Sequence, residues 1–138
     1  MNTRNSCYTY FKIVGDFNPD GVSALLNIKA EKSWKKGDKR KNGTTYDFSL
    51  WSAGRCDEYD VEVANQMRKT ISILLDKIEI LNKIREENEV SFWLEIVPTI
   101  YVQDTNPVLA PTLDIIDFCH ATRTEMDIDM YLFEEDDE

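Results

Sequence analysis

The sequence is poor in the residues that carry common site chemistry. It has one histidine, His120, so no two-histidine metal site can form. It has three cysteines, Cys7, Cys56 and Cys119, far apart and without a CxxC pair. Scattered cysteines of this kind argue against a disulfide framework and suit a reducing compartment. The cytoplasm is therefore the expected location. Only five glycines occur, and none stands in GxxxxGK[ST], GxGxxG or GxSxG. A phosphate-binding loop, a dinucleotide fingerprint and a nucleophile elbow are thereby excluded. No apolar run approaches the ~20 residues that span a bilayer. The N-terminal MNTRNSCYTYFKIVG lacks the apolar stretch of a signal peptide. No cofactor and no metal are expected.

A single domain with its own core is expected. The chain has 138 residues, of which 42% are hydrophobic. We expect one α+β domain over residues 1–133 and an acidic tail, EEDDE, over 134–138. Basic residues are outnumbered 16 to 26, for a formal net charge of -10. They are also unevenly placed. Lys29, Lys32, Lys35, Lys36, Lys39, Arg40 and Lys41 crowd into one tract against only Glu31 and Asp38. That tract carries +5, which leaves -15 on the rest of the chain. A field of that sign repels phosphate backbones and attracts basic partners.

Residues 7–14 alternate and predict a half-buried strand. Asn18 and Pro19 open a short helix as cap and first residue. Residues 28–36 predict a second strand. Asn42-Gly43 then predicts a type I′ hairpin into a return strand over 46–51. The basic tract 29–43 thus lies at a hairpin tip. Ala64, Met67, Ile71, Leu74, Ile78 and Leu81 recur at spacings of three and four, uninterrupted by Gly or Pro. They predict one long helix over 60–88, about 42 Å at 1.5 Å per residue. Residues 90–102 predict a long strand, broken or bulged at Pro98. A helix over 112–121 follows, with Leu113, Ile116, Ile115 and Phe118 inward. A last strand over 125–133 would turn Met126, Ile128, Met130 and Leu132 inward.

The order β-α-β-β-α-β-α-β matches a ferredoxin-like unit with an added helix and strand. One antiparallel-rich sheet would carry its helices on one face. YTYFKIVG and VSFWLEIV resemble each other and flank the long helix, a weak internal symmetry. Propagated alternation places Tyr8, Tyr10, Lys12, Trp34, Trp51, Trp93, Glu95, Asp127, Asp129 and Tyr131 on the opposite face. All three tryptophans fall in this set. Such a face is either a binding surface, with aromatics for area and carboxylates for orientation, or a second small core under loops. Asp127 and Asp129, at i and i+2, would point the same way and could share a proton, or simply be solvated. Cys119 and His120 are helix neighbours that point in different directions, a poor nucleophilic dyad. Nucleic acid is not the expected partner, because Asp127 and Asp129 would lie on the platform that phosphates approach. No membrane partner is implied.

GDFNPD at 15–20, SWKKGD at 33–38, SLW at 49–51 and DIDMY at 127–131 resemble the bacterial family named domain of unknown function 4279. The resemblance covers nearly the whole chain, in order. It implies one bacterial cytoplasmic domain and transfers no reaction. It also implies that Trp34, Gly37, Asp38 and Trp51 act together. Gly37 would allow a turn, and Asp38 would bond the backbone or a lysine there.

Three functions are compatible with these features. The first is a non-enzymatic binding protein of the immunity type, whose acidic, aromatic face occludes a basic toxin domain. The second is a small-ligand binder or hydrolase anchored by Asp127 and Asp129. The third is a structural homodimer through the long helix. The basic tract fits an internal counterweight to the chain's own carboxylates.

Overall fold

A computed structural model describes residues 3–134. Among these the fold is α+β, with four helices and one open six-stranded sheet. The strands are β1 (Ser6–Asp16), β2 (Lys32–Trp34), β3 (Ser49–Cys56), β4 (Glu89–Tyr101), β5 (Thr124–Ile128) and β6 (Tyr131–Phe133). The helices are α1 (Pro19–Leu26), α2 (Ala64–Ser72), α3 (Ile78–Glu87) and α4 (Leu113–Thr122). The sheet order is β2-β3-β1-β4-β5, with β6 also on β4. Pairing is antiparallel except where β5 and β6 run parallel to β4. No helix among the described residues is long and apolar enough to cross a membrane.

β1 alternates as its sequence implies. Cys7, Thr9, Phe11 and Ile13 are buried on one face, while Tyr8, Tyr10 and Lys12 are half-buried on the other. Its partner β4 pairs along the whole strand, from Ser6↔Thr99 to Asp16↔Glu89. The two similar segments therefore lie side by side at the sheet's centre. The helices cover the face that carries Phe11, Ile13, Trp51, Phe92 and Leu94. α1 starts as expected: the Asn18 carboxamide oxygen accepts the Asp20 N–H at 3.1 Å, with Pro19 first in the helix.

The long helix is two helices. Residues 73–77 leave the α-helical path, with i→i−3 bonds from Leu74 N–H to Ile71 at 2.8 Å and from Lys77 N–H to Leu74 at 2.9 Å. No Gly or Pro causes this; tertiary packing overrides local propensity. The apolar stripe is still buried at Ala64, Met67, Ile71, Leu74, Leu81 and Ile84. But α2 packs on β1 and β3, whereas α3 packs on β4 and α1. The bend lets both halves of the stripe reach their own part of the core. The apolar stripe is thus buried within the chain itself.

Other boundaries also differ from expectation. Asn42 does not adopt positive φ, and Gly43 does, at 88°. The tip is therefore a turn closed by Gly43 N–H to Arg40 at 3.1 Å, followed by a left-handed glycine, rather than a type I′ turn. The return strand starts at Ser49, not Tyr46. β4 runs through Pro98 unbroken. Pro98 falls between the β5 and β6 pairings, where β4 changes partner and a missing N–H removes no ladder bond on that edge. In α4, Ile115, Phe118 and Cys119 are buried, while Leu113 and Ile116 are exposed. The final strand splits at Asp129-Met130, and Ile128, Met130 and Leu132 are exposed at the sheet edge instead of inward. Most of the acidic tail, residues 135–138, lies outside the described residues.

Candidate binding groove

The helix-free face of the sheet is concave and forms a groove of about 1140 Å³. Its floor is β1 and β4, which contribute Tyr8, Tyr10, Lys12 and Val14, and Ser91 and Trp93. One wall is β2 with the hairpin, bringing Lys32, Trp34 and Phe48. Period-2 alternation puts Lys32 and Trp34 on the same face, opposite Ser52 and Leu50. Trp93 is held by its indole N–H, which donates to Ser91 Oγ at 3.0 Å. Parts of the face are buried, at Leu50, Ser52, Glu95 and Val97. It is neither a bare plane nor a second closed core.

A charged cluster sits beside the aromatic floor. Lys12 Nζ lies 2.9 Å from Glu95 Oε2. Glu95 also faces Asp127 across the parallel β4–β5 register. Burial holds the Glu95 carboxyl above the usual range; hydrogen bonding with Asp127 adds to this, and Lys12 opposes it. Burial likewise raises the Tyr10 phenol. Asp129 does not join Asp127. It stands in the bend after β5, with its N–H on Ile96 at 2.9 Å and its carboxylate accepting the Tyr131 hydroxyl at 3.2 Å. That carboxylate in turn raises the Tyr131 phenol. Asp129 and Tyr131 therefore flank the groove at the β5–β6 edge and do not line it.

Trp51 is not on this face. It pairs with Ile13 and is fully buried among the helices, where its indole N–H donates to Ser23 Oγ on α1 at 2.9 Å. Its neighbour across β2 is Ser33, while Trp34 pairs with Leu50. A one-residue error of register separates the two tryptophans into opposite faces. Sequence reasoning also missed Arg55. A β-bulge opposite Thr9–Phe11 shifts the alternation of β3, so Arg55 swings to the open face and Cys56 stays buried. The Arg55 guanidinium lies 3.9 Å above the Tyr8 ring. Gly54, just before it, was the available signal.

The SWKKGD stretch builds the groove's wall. Asp38 Oδ2 accepts the Lys35 N–H at 2.8 Å, and Lys36 N–H donates to Ser49 Oγ at 2.8 Å. Gly37 has φ 92°, a conformation costly for other residues. Trp34 donates its indole N–H to the Phe48 carbonyl at 3.0 Å and stacks on Tyr46 at 4.1 Å. Asp38 thus bonds backbone rather than a lysine side chain. Gly37 and Asp38 shape the hairpin; they do not line the groove.

The family model described as "Domain of unknown function (DUF4279)" matches residues 5–133. The chain belongs to the DUF4279 family. No curated protein and no solved structure matches it. The matched region contains the whole groove and the hairpin, so both are parts of the DUF4279 domain.

Other candidate chemistry does not assemble. Cys7 and Cys119 are buried, and burial is the main cause raising each thiol to about 11. His120 is exposed, and no hydrogen bond joins it to a cysteine among the described residues. No group of three or more metal-ligating side chains occurs among the described residues.

Proposed function

We propose that this protein is a non-enzymatic binding protein of the immunity type. It acts by occlusion, seating a segment of another protein on the open face of its sheet. The groove carries this reading. Tyr10, Trp34 and Trp93 supply rigid anchor area of the type that dominates protein interfaces. Glu125, Asp127 and Asp129 line the β5 edge, and this acidic rim suits a basic surface on a toxin domain. Three separate, unpaired, buried cysteines support a reducing compartment such as the cytoplasm. The order β2-β3-β1-β4 with antiparallel neighbours supports a ferredoxin-like unit extended by α4, β5 and β6.

The test is calorimetric titration of the full chain against each protein encoded beside it. Micromolar or tighter binding is expected to one of them. Trp93→Ala and Tyr10→Ala should each weaken it at least about tenfold, as interface anchors do. No binding to any neighbour, or binding indifferent to both substitutions, refutes the proposal. A second reading, a small-ligand binder, is favoured by the convergence of Tyr10, Trp34 and Trp93 on one concavity. Thermal shifts with sugars or nucleotides that vanish in Trp93→Ala would select it.

A further inference from the structure

Charge is segregated across the open face. The β5 edge carries Glu125, Asp127 and Asp129, and the β2 side carries the cations. Lys12 and Glu95 neutralise each other in between. On the β2 side few cations are spent. Lys36 approaches Asp16 at 3.8 Å and Arg55 binds Asp57 at 2.7 Å. Lys32, Lys35, Lys39 and Lys41 form no ion pair among the described residues. Among the described residues the tract thus pairs with the chain's own carboxylates only at Lys36, and the tail carboxylates of residues 135–138 lie outside them. Two carboxylates line the groove: Glu31, which accepts the Arg55 N–H at 2.8 Å, and Glu89 at the start of β4, against the cations Lys12, Lys32 and Arg55.

Two of the tract's cations, Lys32 and Arg40, lie against aromatic rings. Lys32 sits 5.8 Å from the Trp34 ring, Trp34 stacks on Tyr46, and Arg40 covers Tyr46 at 4.6 Å. With the Asp38 and Ser49 bonds, this ladder makes the hairpin a defined arm. Of the tract's cations Lys32 lines the aromatic groove, and the others stand on the arm beside it.

We infer that the segment received by the groove is an acidic stretch of polypeptide, entering from the hairpin side with its carboxylates against Lys32 and the hairpin lysines. The inference rests on the groove being the binding surface. Charge complementarity selects an anion on this side, although the chain as a whole is at -10. Ring occupancy selects polypeptide over single-stranded nucleic acid. Bases need free aromatic faces to stack on. Here Tyr8 carries Arg55 over its ring and neighbours Tyr10 at 6.0 Å, and Trp34 is stacked on Tyr46. These rings form an apolar wall suited to side chains. The partner is thus polar in a fixed sense: its acidic element lies over β2 and its basic rim over β5.

The experiment measures fluorescence anisotropy of labelled poly-L-glutamate with the full chain at low salt. An oligothymidylate of similar length is the second probe. Poly-L-glutamate should bind, and binding should fall steeply as salt rises. Lys32→Glu combined with Lys39→Glu should weaken it at least about tenfold, as reversal of steering charges does. Both positions are exposed, and unchanged melting would confirm folding. No binding of poly-L-glutamate, equal binding by the variant, or tighter binding of the oligothymidylate each overturns the inference. A neighbour-encoded partner weakened by Trp93→Ala but not by the lysine reversals would also overturn it, while leaving the groove as the binding surface.

Discussion

Lys12 Nζ and Glu95 Oε2 meet at 2.9 Å in the middle of the open sheet face, with Glu95 nearly inaccessible and Lys12 half-exposed. The pair joins the groove floor, which Lys12 lines, to the β5 edge, where Glu95 stands in register with Asp127.

Glu95 makes stability depend on pH in a defined direction. Its folded carboxyl is raised, chiefly by burial and then by Asp127. The folded state therefore binds its proton more tightly than the unfolded chain does. The associated stability is present below the unfolded value and lost as pH rises through the folded one. Glu95→Gln removes that loss. Relative to wild type, the variant should gain thermal stability as pH rises from about 4 to 7, the range spanning ordinary and raised carboxyls. Paired melts at each pH read this difference. A gap that shrinks or stays flat with rising pH would contradict the assignment.

Two tryptophans should separate stability from binding. Trp51 is fully buried and bonded to Ser23, so Trp51→Ala should cost about 3–5 kcal/mol in urea unfolding. Trp93 is half-buried in the groove, so Trp93→Ala should cost within about 1 kcal/mol. Acrylamide should quench Trp93 in the native protein and leave Trp51 protected. Equal destabilisation by both substitutions would place Trp93 in a core.

Leu74 tests the broken helix. It is fully buried where α2 ends, so Leu74→Ala should destabilise by about 2–5 kcal/mol. Leu74→Glu should unfold the chain. A folded, monomeric Leu74→Glu protein derived from a dimeric parent would instead restore the helix as an intersubunit seam. Gel filtration with circular dichroism separates these outcomes.

The thiols should be silent. Cys7, Cys56 and Cys119 are all buried, and burial, the main cause, raises Cys7 and Cys119 to about 11. At pH 8 a thiol reagent should react slowly with the native protein and rapidly with three thiols after denaturation. Fast native reaction of any one thiol would refute the burial.

Much of the architecture was legible because local rules agreed. The alternation of 7–14, the Asn18-Pro19 cap and the helix near 112–121 each needed only neighbours in sequence. Tyr8, Tyr10, Trp34, Trp93 and Glu95 were placed on the open face by period two alone. The errors arose where a long-range contact competed with a local pattern. Ala64 to Leu81 reads as one rod, yet two regions of core draw it into two helices. Trp51 reads as sharing a face with Trp34, yet β2 pairs Ser33 with Trp51 and Trp34 with Leu50.

The sequence by itself determined which segments alternate, where the charge gathers and which chemistries are missing, because these follow from residue types and spacing. Only the tertiary structure decided which face each strand shows. Register and a single β-bulge set that, and both are properties of pairing between distant strands. They buried Trp51, raised Arg55 over Tyr8 and turned a basic tract into the wall of a groove.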